Sequence, residues 1–211
     1  MTETEQEVIR ENKKLIERYP FLRPRNRWTD EADEDYDYTW TELDDFPEGW
    51  RKAFGEEMLE DLREDLIRVN YLDEFRIMEI KEKYGTLRFY IGGVPAGSHA
   101  NDIIDKYEHI SSHTCICCGK VDVPVLDDGW VSPYCKKCYR NMWEKRESYW
   151  ENPREYSEEM YDKYIVDDNP LSPTYGVMSW SKEEGEKTRK VDVSDILNRM
   201  KKRNPKLFEK E

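Results

Sequence analysis

The sequence predicts an α+β fold with a helical core and a cysteine-rich module, and three patterns support this prediction. Apolar residues recur at helical spacing in a long central segment, alternate with polar residues in the next segment, and precede a cluster of five cysteines. Of the 211 residues, 37% are hydrophobic and 38% are charged, so the core must draw on the seven Trp, fourteen Tyr and six Phe. We expect a core helix packed on a β-hairpin, the cysteine module attached to it, and a helical carboxy-terminal extension.

The first predicted elements are two helices. Residues 3–19 carry apolar side chains at helical spacing up to Pro20, which predicts a short amphipathic helix. Residues 50–72 repeat apolar side chains at i, i+3, i+4 and i+7, which predicts the main core helix. Gly55 weakens that helix unless it lies in the first turn or permits a close backbone approach.

A β-hairpin follows the core helix. Residues 75–91 alternate in polarity, with Leu87, Phe89 and Ile91 on one face of the second strand. The two predicted strands are joined by a turn at residues 83–85. Because one face is apolar, we expect that face to pack on the core helix.

Residues 28–50 are the most polarised stretch, since they hold ten carboxylates and no Lys or Arg. We call this stretch the acidic strip. It is either a solvated loop that aromatic side chains hold on the domain, which we favour, or a docking surface for a basic partner. We expect Trp40 and Trp50 to anchor the strip and residues 30–37 to be exposed. The nearby cations that could offset its self-repulsion are Arg23, Arg25, Arg27, Arg51 and Lys52.

All five cysteines fall between residues 115 and 138, in two C-x2-C pairs with one extra thiol. Zinc binds four thiolates tetrahedrally, and each pair lets one tight turn offer two of them to the same ion. The cluster therefore indicates a metal site in preference to disulfides, unliganded thiols or a redox pair. We expect one structural Zn²⁺ per chain. Its predicted ligands are Cys115, Cys118, Cys135 and Cys138.

The glycine that directly follows the first pair indicates its register. A zinc knuckle turns backbone amides towards sulfur, and glycine tolerates the positive φ that this turn requires. Gly119 follows Cys118, so Cys117 is the spare thiol. Four thiolates leave no coordination position for water, so we expect the metal to stabilise the fold and not to hydrolyse a substrate.

The segments around the cysteines predict a treble clef. Residues 101–113 should form a helix, capped by Asn101 or Asp102, that leads to the first pair. Residues 121–131 suit a small hairpin, and an amphipathic helix begins at the second pair and ends before Pro153. Knuckle, hairpin and helix in this order describe a treble clef.

The three histidines bear on nuclease activity, because treble clefs occur in nucleases of the His-Asn-His type. His99 lies in a predicted loop, whereas His109 and His113 are one helical turn apart and could bind a second metal. We favour a solvated or capping role for this pair. No histidine follows Cys138, where such a nuclease would need one.

The chain divides into three predicted regions. Residues 1–100 form the α+β region with the acidic strip, and residues 101–151 form the zinc module. Residues 152–190 hold three prolines, many charges and no sustained period, which predicts an irregular and partly mobile connection. Within the extension 152–211, a last helix is expected near residues 193–200.

The balance of 34 basic and 47 acidic residues gives a net charge of −13. This charge disfavours nucleic acid and anionic membranes and favours a basic protein as partner. No run reaches the roughly 18 apolar residues of a membrane helix, and the amino terminus is charged where a signal peptide needs an apolar stretch. We expect a cytoplasmic protein.

A local nucleic-acid surface is an alternative, because basic and aromatic residues gather at two places. We favour the simpler interpretation that these residues lie on a solvated strand face and bind no nucleic acid. The residues are Lys81, Lys83, Tyr84, Arg88 and Tyr90 on the hairpin, with Lys136, Lys137, Arg140, Lys145 and Arg146 around the second cysteine pair. The sequence has no G-x-G-x-x-G, phosphate-loop or G-x-S-x-G motif.

Four motifs occur in a fixed order: YDYTWTELDDFPEGWRKAFGEEM, IKEKYGTLRFY, DIIDKYEHISSHTCICCGK and GWVSPYCKKC. In this order they resemble a family of uncharacterised proteins from bacteria, especially Firmicutes, and from their phages and prophages. The resemblance covers about residues 12–140. It implies a zinc-bearing protein of the bacterial cytoplasm and implies no activity.

The predicted function is a non-enzymatic, zinc-stabilised protein-interaction module, such as a phage or prophage effector that acts on a host protein. One alternative is a nucleic-acid-binding regulator that uses the basic hairpin and the clef. The other is a nuclease whose catalytic residues the motifs do not reveal.

Overall fold

The protein combines α-helices with small antiparallel sheets in a computed structural model that describes residues 3–26, 29, 31–32, 34–167, 174–181 and 185–209. The helices are α1 (Glu3–Arg18), α2 (Glu48–Trp50), α3 (Glu56–Arg68), α4 (Ala100–Ser111), α5 (Lys136–Glu147), α6 (Glu158–Tyr164) and α7 (Ser194–Arg203). A π-helical turn, Arg51–Gly55, joins α2 to α3. Short 3₁₀ turns occupy Pro20–Leu22, Glu42–Asp45 and Pro205–Phe208.

The strands are β1 (Ile77–Lys83), β2 (Thr86–Ile91), β3 (Val125–Asp127), β4 (Val131–Pro133), β5 (Ile165–Asp167), β6 (Thr174–Ser181) and β7 (Gly185–Asp192). β1 and β2 form the predicted antiparallel hairpin, and Tyr84 and Gly85 both adopt positive φ in its two-residue turn. β3 pairs with both β4 and β5, and β6 pairs with β7. The predicted mixture of helices with small antiparallel sheets is confirmed.

One hydrophobic core joins the helical segment 48–68, the β1–β2 hairpin and α4. Leu87 and Phe89 bury the predicted inner face of β2, and Tyr90 on the other face is exposed. α4 contacts both α3 and β2, so it links the core helix to the hairpin. The wholly buried side chains of the helical segment, spaced three or four residues apart as predicted, are Trp50, Ala53, Phe54, Met58, Leu62 and Leu66.

The core helix differs from its prediction in its end and in the role of its glycine. It ends at Arg68 and not at Leu72, because Asn70 adopts a left-handed conformation with a φ of 53°. Gly55 lies in the π-helical turn, where an added Cβ would meet nothing closer than 3.6 Å. The close backbone approach is made by Gly49, where a Cβ would lie 2.3 Å from the carbonyl oxygen of Cys115.

The amino-terminal cap of α4 also differs from its prediction. Asn101 and Asp102 lie inside the first turn of α4, so neither residue is the cap. Asp65 instead accepts hydrogen bonds from the Ser98 hydroxyl and from the His99 amide, each at 2.8 Å. A carboxylate from α3 therefore accepts the hydrogen bonds of the residues that lead into α4, in place of a side chain at the cap position.

The acidic strip divides into an exposed half and a buried half. Trp50 is wholly buried, as predicted, but Trp40 is 45% exposed, so the prediction that Trp40 anchors the strip is wrong. The 3₁₀ turn Glu42–Asp45 buries Leu43 and brings the chain to the buried Phe46. The carboxylates that are exposed in the first half are Glu31, Glu34, Asp35 and Asp37. Arg27, Trp28, Asp30 and Asp33 lie outside the described residues.

Contacts from outside the strip hold it in place. Arg51 Nη1 lies 2.9 Å from the Asp44 carboxylate, so this predicted source of counter-charge is confirmed. Arg23 lies over the ring of Tyr36, with its guanidinium carbon 5.5 Å from the ring centre. The buried Asn12 of α1 donates a hydrogen bond to the Tyr38 carbonyl at 2.9 Å. The exposed half is therefore held by its neighbours and not by Trp40. Lys52, another predicted source of counter-charge, forms an ion pair with Glu48 of the strip.

The predicted irregular connection over residues 152–190 is wrong, because α6, β5, β6 and β7 lie within it. Tyr161 in α6 packs with Tyr139 and Trp143 of α5 in a second, aromatic cluster. Its hydroxyl donates to the Tyr134 carbonyl at 2.7 Å. Elements of three to eight residues are too short to leave a visible period in the sequence, and aromatic burial stabilises α6 instead.

The predicted last helix is confirmed as α7, which packs on α3. The Arg199 guanidinium donates to both carboxylate oxygens of Asp61, at 2.8 and 2.7 Å. Arg203 Nε lies 2.6 Å from the Glu57 carboxylate. Among the described residues, no helix is both long enough and apolar enough to cross a membrane.

Replacing Gly49 by alanine should destabilise the protein. The added Cβ would overlap the Cys115 carbonyl, so the knuckle or the helix must move, at a cost of about 1–3 kcal/mol of unfolding free energy. Gly55→Ala is the matched control, because its methyl group has room and should add about 0.5–1 kcal/mol through helix propensity. Urea unfolding measures both variants. Equal effects of the two substitutions would contradict the assignment of Gly49 as the close contact.

Candidate metal centre

Four thiols come together at the predicted cysteines. The Sγ atoms of Cys115, Cys118, Cys135 and Cys138 all lie within 4.8 Å of one another. Those of Cys118 and Cys135 are 3.7 Å apart. In a tetrahedral site with zinc–sulfur bonds of about 2.3 Å, two sulfurs are about 3.8 Å apart. The four cysteines could therefore hold a metal ion, and their spacing suits tetrahedral coordination. Cys117 is exposed and does not belong to this group.

The first cysteine pair lies on a tight turn, residues 115–120, which we call the knuckle. The Cys115 amide donates to the Lys120 carbonyl at 2.7 Å, and the Gly119 amide donates to the Cys115 carbonyl at 2.9 Å. Gly119 has a φ of 82°, the left-handed conformation predicted for it. A Cβ on Gly119 would also lie 2.6 Å from the Gly49 carbonyl oxygen. Conformation and space both require glycine at this position.

The second cysteine pair lies at the amino terminus of α5. Cys135 is the N-cap residue, and Cys138 lies in the first turn. The positive end of the helix dipole favours thiolates at this place. The Ile116 amide donates to the Pro133 carbonyl at 3.0 Å, which joins the knuckle to β4. The chain thus follows the predicted order of knuckle, hairpin and helix.

The thiols of the cluster influence one another's protonation. Hydrogen bonds with the Cys115 and Cys135 thiols lower the pKa of Cys118. A hydrogen bond with the Cys115 thiol raises the pKa of Cys138. A tetrahedral metal ion needs all four sulfurs as thiolates, so protons leave the cluster when the ion binds. Acid should therefore weaken metal binding.

The knuckle contacts the start of the core helix directly. The Gly49 amide donates to the Ile116 carbonyl at 2.9 Å. The indole Nε1 of the wholly buried Trp50 donates to the Thr114 carbonyl at 2.7 Å. Backbone atoms of the helix and the knuckle touch at Gly49, as described above. The start of the helix therefore positions the first cysteine pair.

The carboxy-terminal extension contacts the other side of the module. Nδ1 of His113 lies 2.9 Å from the Val123 carbonyl oxygen, and Nε2 lies 3.5 Å from the Asp167 carboxylate of β5. The Val121 amide donates to the Leu207 carbonyl at 2.8 Å. The segment that precedes β3 is thus held by two parts of the extension.

Of the roles predicted for the histidines, the loop position of His99 is confirmed and the solvated pair is contradicted. His109 and His113 are buried, so a solvated pair is wrong. In the described residues, neither histidine joins the four-cysteine group. His113 instead binds the module's backbone, and His99 has a largely exposed side chain 3.8 Å from the Asp102 carboxylate.

Sequence reasoning missed the residues that hold the knuckle against the core. Gly49 directly precedes the helical pattern that Trp50 begins, and a glycine at that point is a signal for a close approach. The sequence predicts Trp50 as an anchor of the acidic strip and His113 as a solvated or capping residue, but it does not predict their hydrogen bonds to the backbone of the module. Leu207 left no signal, because its contact is made by the backbone and joins segments far apart in the chain.

The fold and the site define a mixed α and β protein with a four-cysteine cluster that could bind a metal ion. Comparison of the chain with protein-family models, curated proteins and solved structures finds no match.

We expect the purified protein to hold one Zn²⁺ per chain. Replacing Cys115 and Cys138 together by serine should abolish zinc binding, because two thiolates are too few for a tetrahedral site. Cys117→Ser is the matched control and should retain a full equivalent, since Cys117 lies outside the cluster. Elemental analysis after gel filtration gives the stoichiometry. Full zinc in the double variant, or loss of zinc in Cys117→Ser, would refute the ligand assignment.

Proposed function

We propose that this protein is a zinc-stabilised protein-interaction module with a treble-clef-like metal unit and a basic protein as its partner. The four-cysteine cluster carries the proposal, because four thiolates complete the coordination of zinc and leave no position for water or substrate. Zinc then contributes folding free energy and not chemistry. Following the family resemblance, we extend the proposal to an effector of phage or prophage origin that acts on a host protein in the bacterial cytoplasm.

The position of the cluster supports a stabilising role for the ion. The knuckle contacts the core helix at Gly49 and Trp50 and is followed by Val121, which binds the extension. An ion at the cluster therefore holds a turn that two other parts of the protein use as a docking point. A small unit of this kind gains much of its folding free energy from the metal.

The charge of the chain supports a basic partner. The net charge of −13 steers cations towards the protein. The exposed half of the acidic strip concentrates this charge at Glu31, Glu34 and Asp37, and Glu31 and Glu34 line the same groove as the half-exposed Trp40. Carboxylates next to an exposed indole suit Lys and Arg side chains, which gain both charge pairing and cation–π contact.

Most of the cations considered for nucleic-acid binding are already paired, which supports a protein partner over nucleic acid. An ion pair with a carboxylate lowers the positive potential that would attract phosphates. The pairs are Lys81–Glu79, Arg88–Glu108, Lys136–Asp162, Arg140–Glu144 and Arg146–Asp128. The other three cations considered for nucleic-acid binding are Lys83, Lys137 and Lys145.

Neutralising the tip of the acidic strip tests the proposal. The variant Asp33→Asn, Glu34→Gln, Asp35→Asn, Asp37→Asn should change the melting temperature little, because Glu34, Asp35 and Asp37 are exposed and exposed charges contribute little to stability. It should bind a basic host protein, captured from bacterial lysate by the unmodified chain, about tenfold or more weakly at low salt, since steering is lost. Calorimetry and affinity measurements at two salt concentrations give both quantities.

Two results would count against the proposal. A large fall in melting temperature would show that the carboxylates are structural. Salt-dependent binding of DNA or RNA, or metal-dependent cleavage of either, would instead support the alternatives of a regulator or a nuclease.

A further inference from the structure

The four most exposed large hydrophobic side chains of the described residues are all Tyr or Trp, and we call them the aromatic ridge. Tyr84 is 74% exposed, Trp130 65%, Tyr149 78% and Trp150 65%. An aromatic side chain carries about 150–250 Å² of surface, so the ridge exposes on the order of 500 Å². Trp and Tyr dominate the binding energy of interaction sites, so exposed aromatic side chains that lie on neighbouring turns indicate an interaction surface.

The ridge spans three neighbouring turns: the β1–β2 turn, the β3–β4 turn and the end of α5. A Cβ built on Gly85 would lie 3.3 Å from the Cα atom of Ser132, so the β1–β2 turn lies against β4. Arg146 Nη1 lies 2.8 Å from the Asp128 carboxylate, which joins the end of α5 to the β3–β4 turn. The metal module and the hairpin therefore contribute to one surface.

We propose that Trp130 and Trp150 of the aromatic ridge bind arginine side chains of the basic partner, an inference that rests on the proposed function above. The protein already uses this contact internally. The guanidinium carbons of Arg146 and Arg154 lie 4.6 and 4.7 Å from the centre of the Trp143 ring. Trp130 and Trp150 offer the same indole ring, but exposed to solvent, and no cation of the described residues lies over either ring.

The charges beside Trp150 select a cation. Trp150 and Glu151 line an open groove of about 600 Å³. The two arginines that also line this groove are already paired with buried carboxylates, Arg146 with Asp128 and Arg154 with Glu147. Glu151 forms no hydrogen bond or ion pair with the residues that the structure describes. A guanidinium stacked on Trp150 would find a free carboxylate next to it.

Arginine fits this surface better than lysine or a nucleobase does. Its planar guanidinium stacks on an indole and can still form two parallel hydrogen bonds to a carboxylate, whereas an ammonium group is a hydrated point charge. Bases of single-stranded nucleic acid also stack on exposed indoles, but their phosphates would meet Glu151 and a chain of net charge −13. The observations therefore favour an arginine-rich protein segment.

Binding of two fluorescent peptides, nona-arginine and nona-lysine, to the zinc-loaded full chain at physiological salt tests the proposal. The unmodified protein should prefer nona-arginine. The double variant Trp130→Ala, Trp150→Ala should bind nona-arginine about fivefold to twentyfold more weakly, as expected for two lost cation–π contacts. Its affinity for nona-lysine should change less than threefold. Tyr90→Ala removes an exposed aromatic side chain outside both the ridge and the acidic strip and should leave both affinities within twofold.

The remaining outcomes overturn one proposal or the other. Unchanged nona-arginine binding by the double variant, with a loss in the neutralised acidic strip, would overturn the ridge and leave the basic partner intact. Failure of the unmodified protein to bind either peptide would overturn the basic partner as well. Binding of a single-stranded oligonucleotide that the double variant loses would overturn the choice of partner class. Zinc content and melting temperature verify that the variants are folded, since the substituted side chains are exposed.

Discussion

A contact between two glycine-containing backbone segments joins the metal cluster to the hydrophobic core. At Gly49 and Gly119 the start of the core helix and the knuckle approach so closely that neither position has space for a Cβ. The amide of Gly49 and the indole of Trp50 both donate to carbonyl groups beside the first cysteine pair. Backbone atoms have little freedom to rearrange, so this contact holds the knuckle more firmly than flexible side chains would. Free energy gained when a metal binds the knuckle therefore also stabilises the core helix.

The four-cysteine cluster lies between two hydrophobic clusters of different composition. Ile116 of the knuckle packs on the main core, which is rich in aliphatic side chains and Phe. Tyr134 packs against the cysteines and also against the aromatic cluster of Tyr139, Trp143 and Tyr161. The aromatic cluster is small, and a unit of this size seldom folds without a metal or a larger neighbour. The cluster of thiols thus lies where an ion can couple the smaller unit to the larger one.

Internal arginines offset much of the negative charge that would otherwise expand the chain. Arg199 holds Asp61 through two hydrogen bonds, and Arg203 reaches Glu57, so α7 is docked on α3 by charge as well as by burial. Pairs that involve a largely buried carboxylate, such as Arg154 with Glu147, are costly to break from one side because the remaining charge is left without a partner. Exposed carboxylates remain on the acidic strip and beside the aromatic ridge. These are the two surfaces to which we propose that a basic protein binds.

The sequence by itself determined the features that depend on a few adjacent residues. The four cysteines that come together, the left-handed conformation of Gly119 and a hairpin turn within residues 83–85 each follow from local spacing or from backbone conformation. Helical periodicity also located the core helix, because its buried face repeats over five turns and the pattern is long enough to recognise.

Only the tertiary structure decided the features whose partners are distant in the chain. Trp40 and Phe46 are both aromatic residues in an acidic segment, and the fold alone makes one exposed and the other buried. Asp65 caps α4 from another helix, and Gly49 is required by a knuckle more than sixty residues away. The short elements α6 and β5 form because the module offers aromatic surface to cover them. Such contacts depend on shape in three dimensions, which local spacing, charge and propensity do not specify.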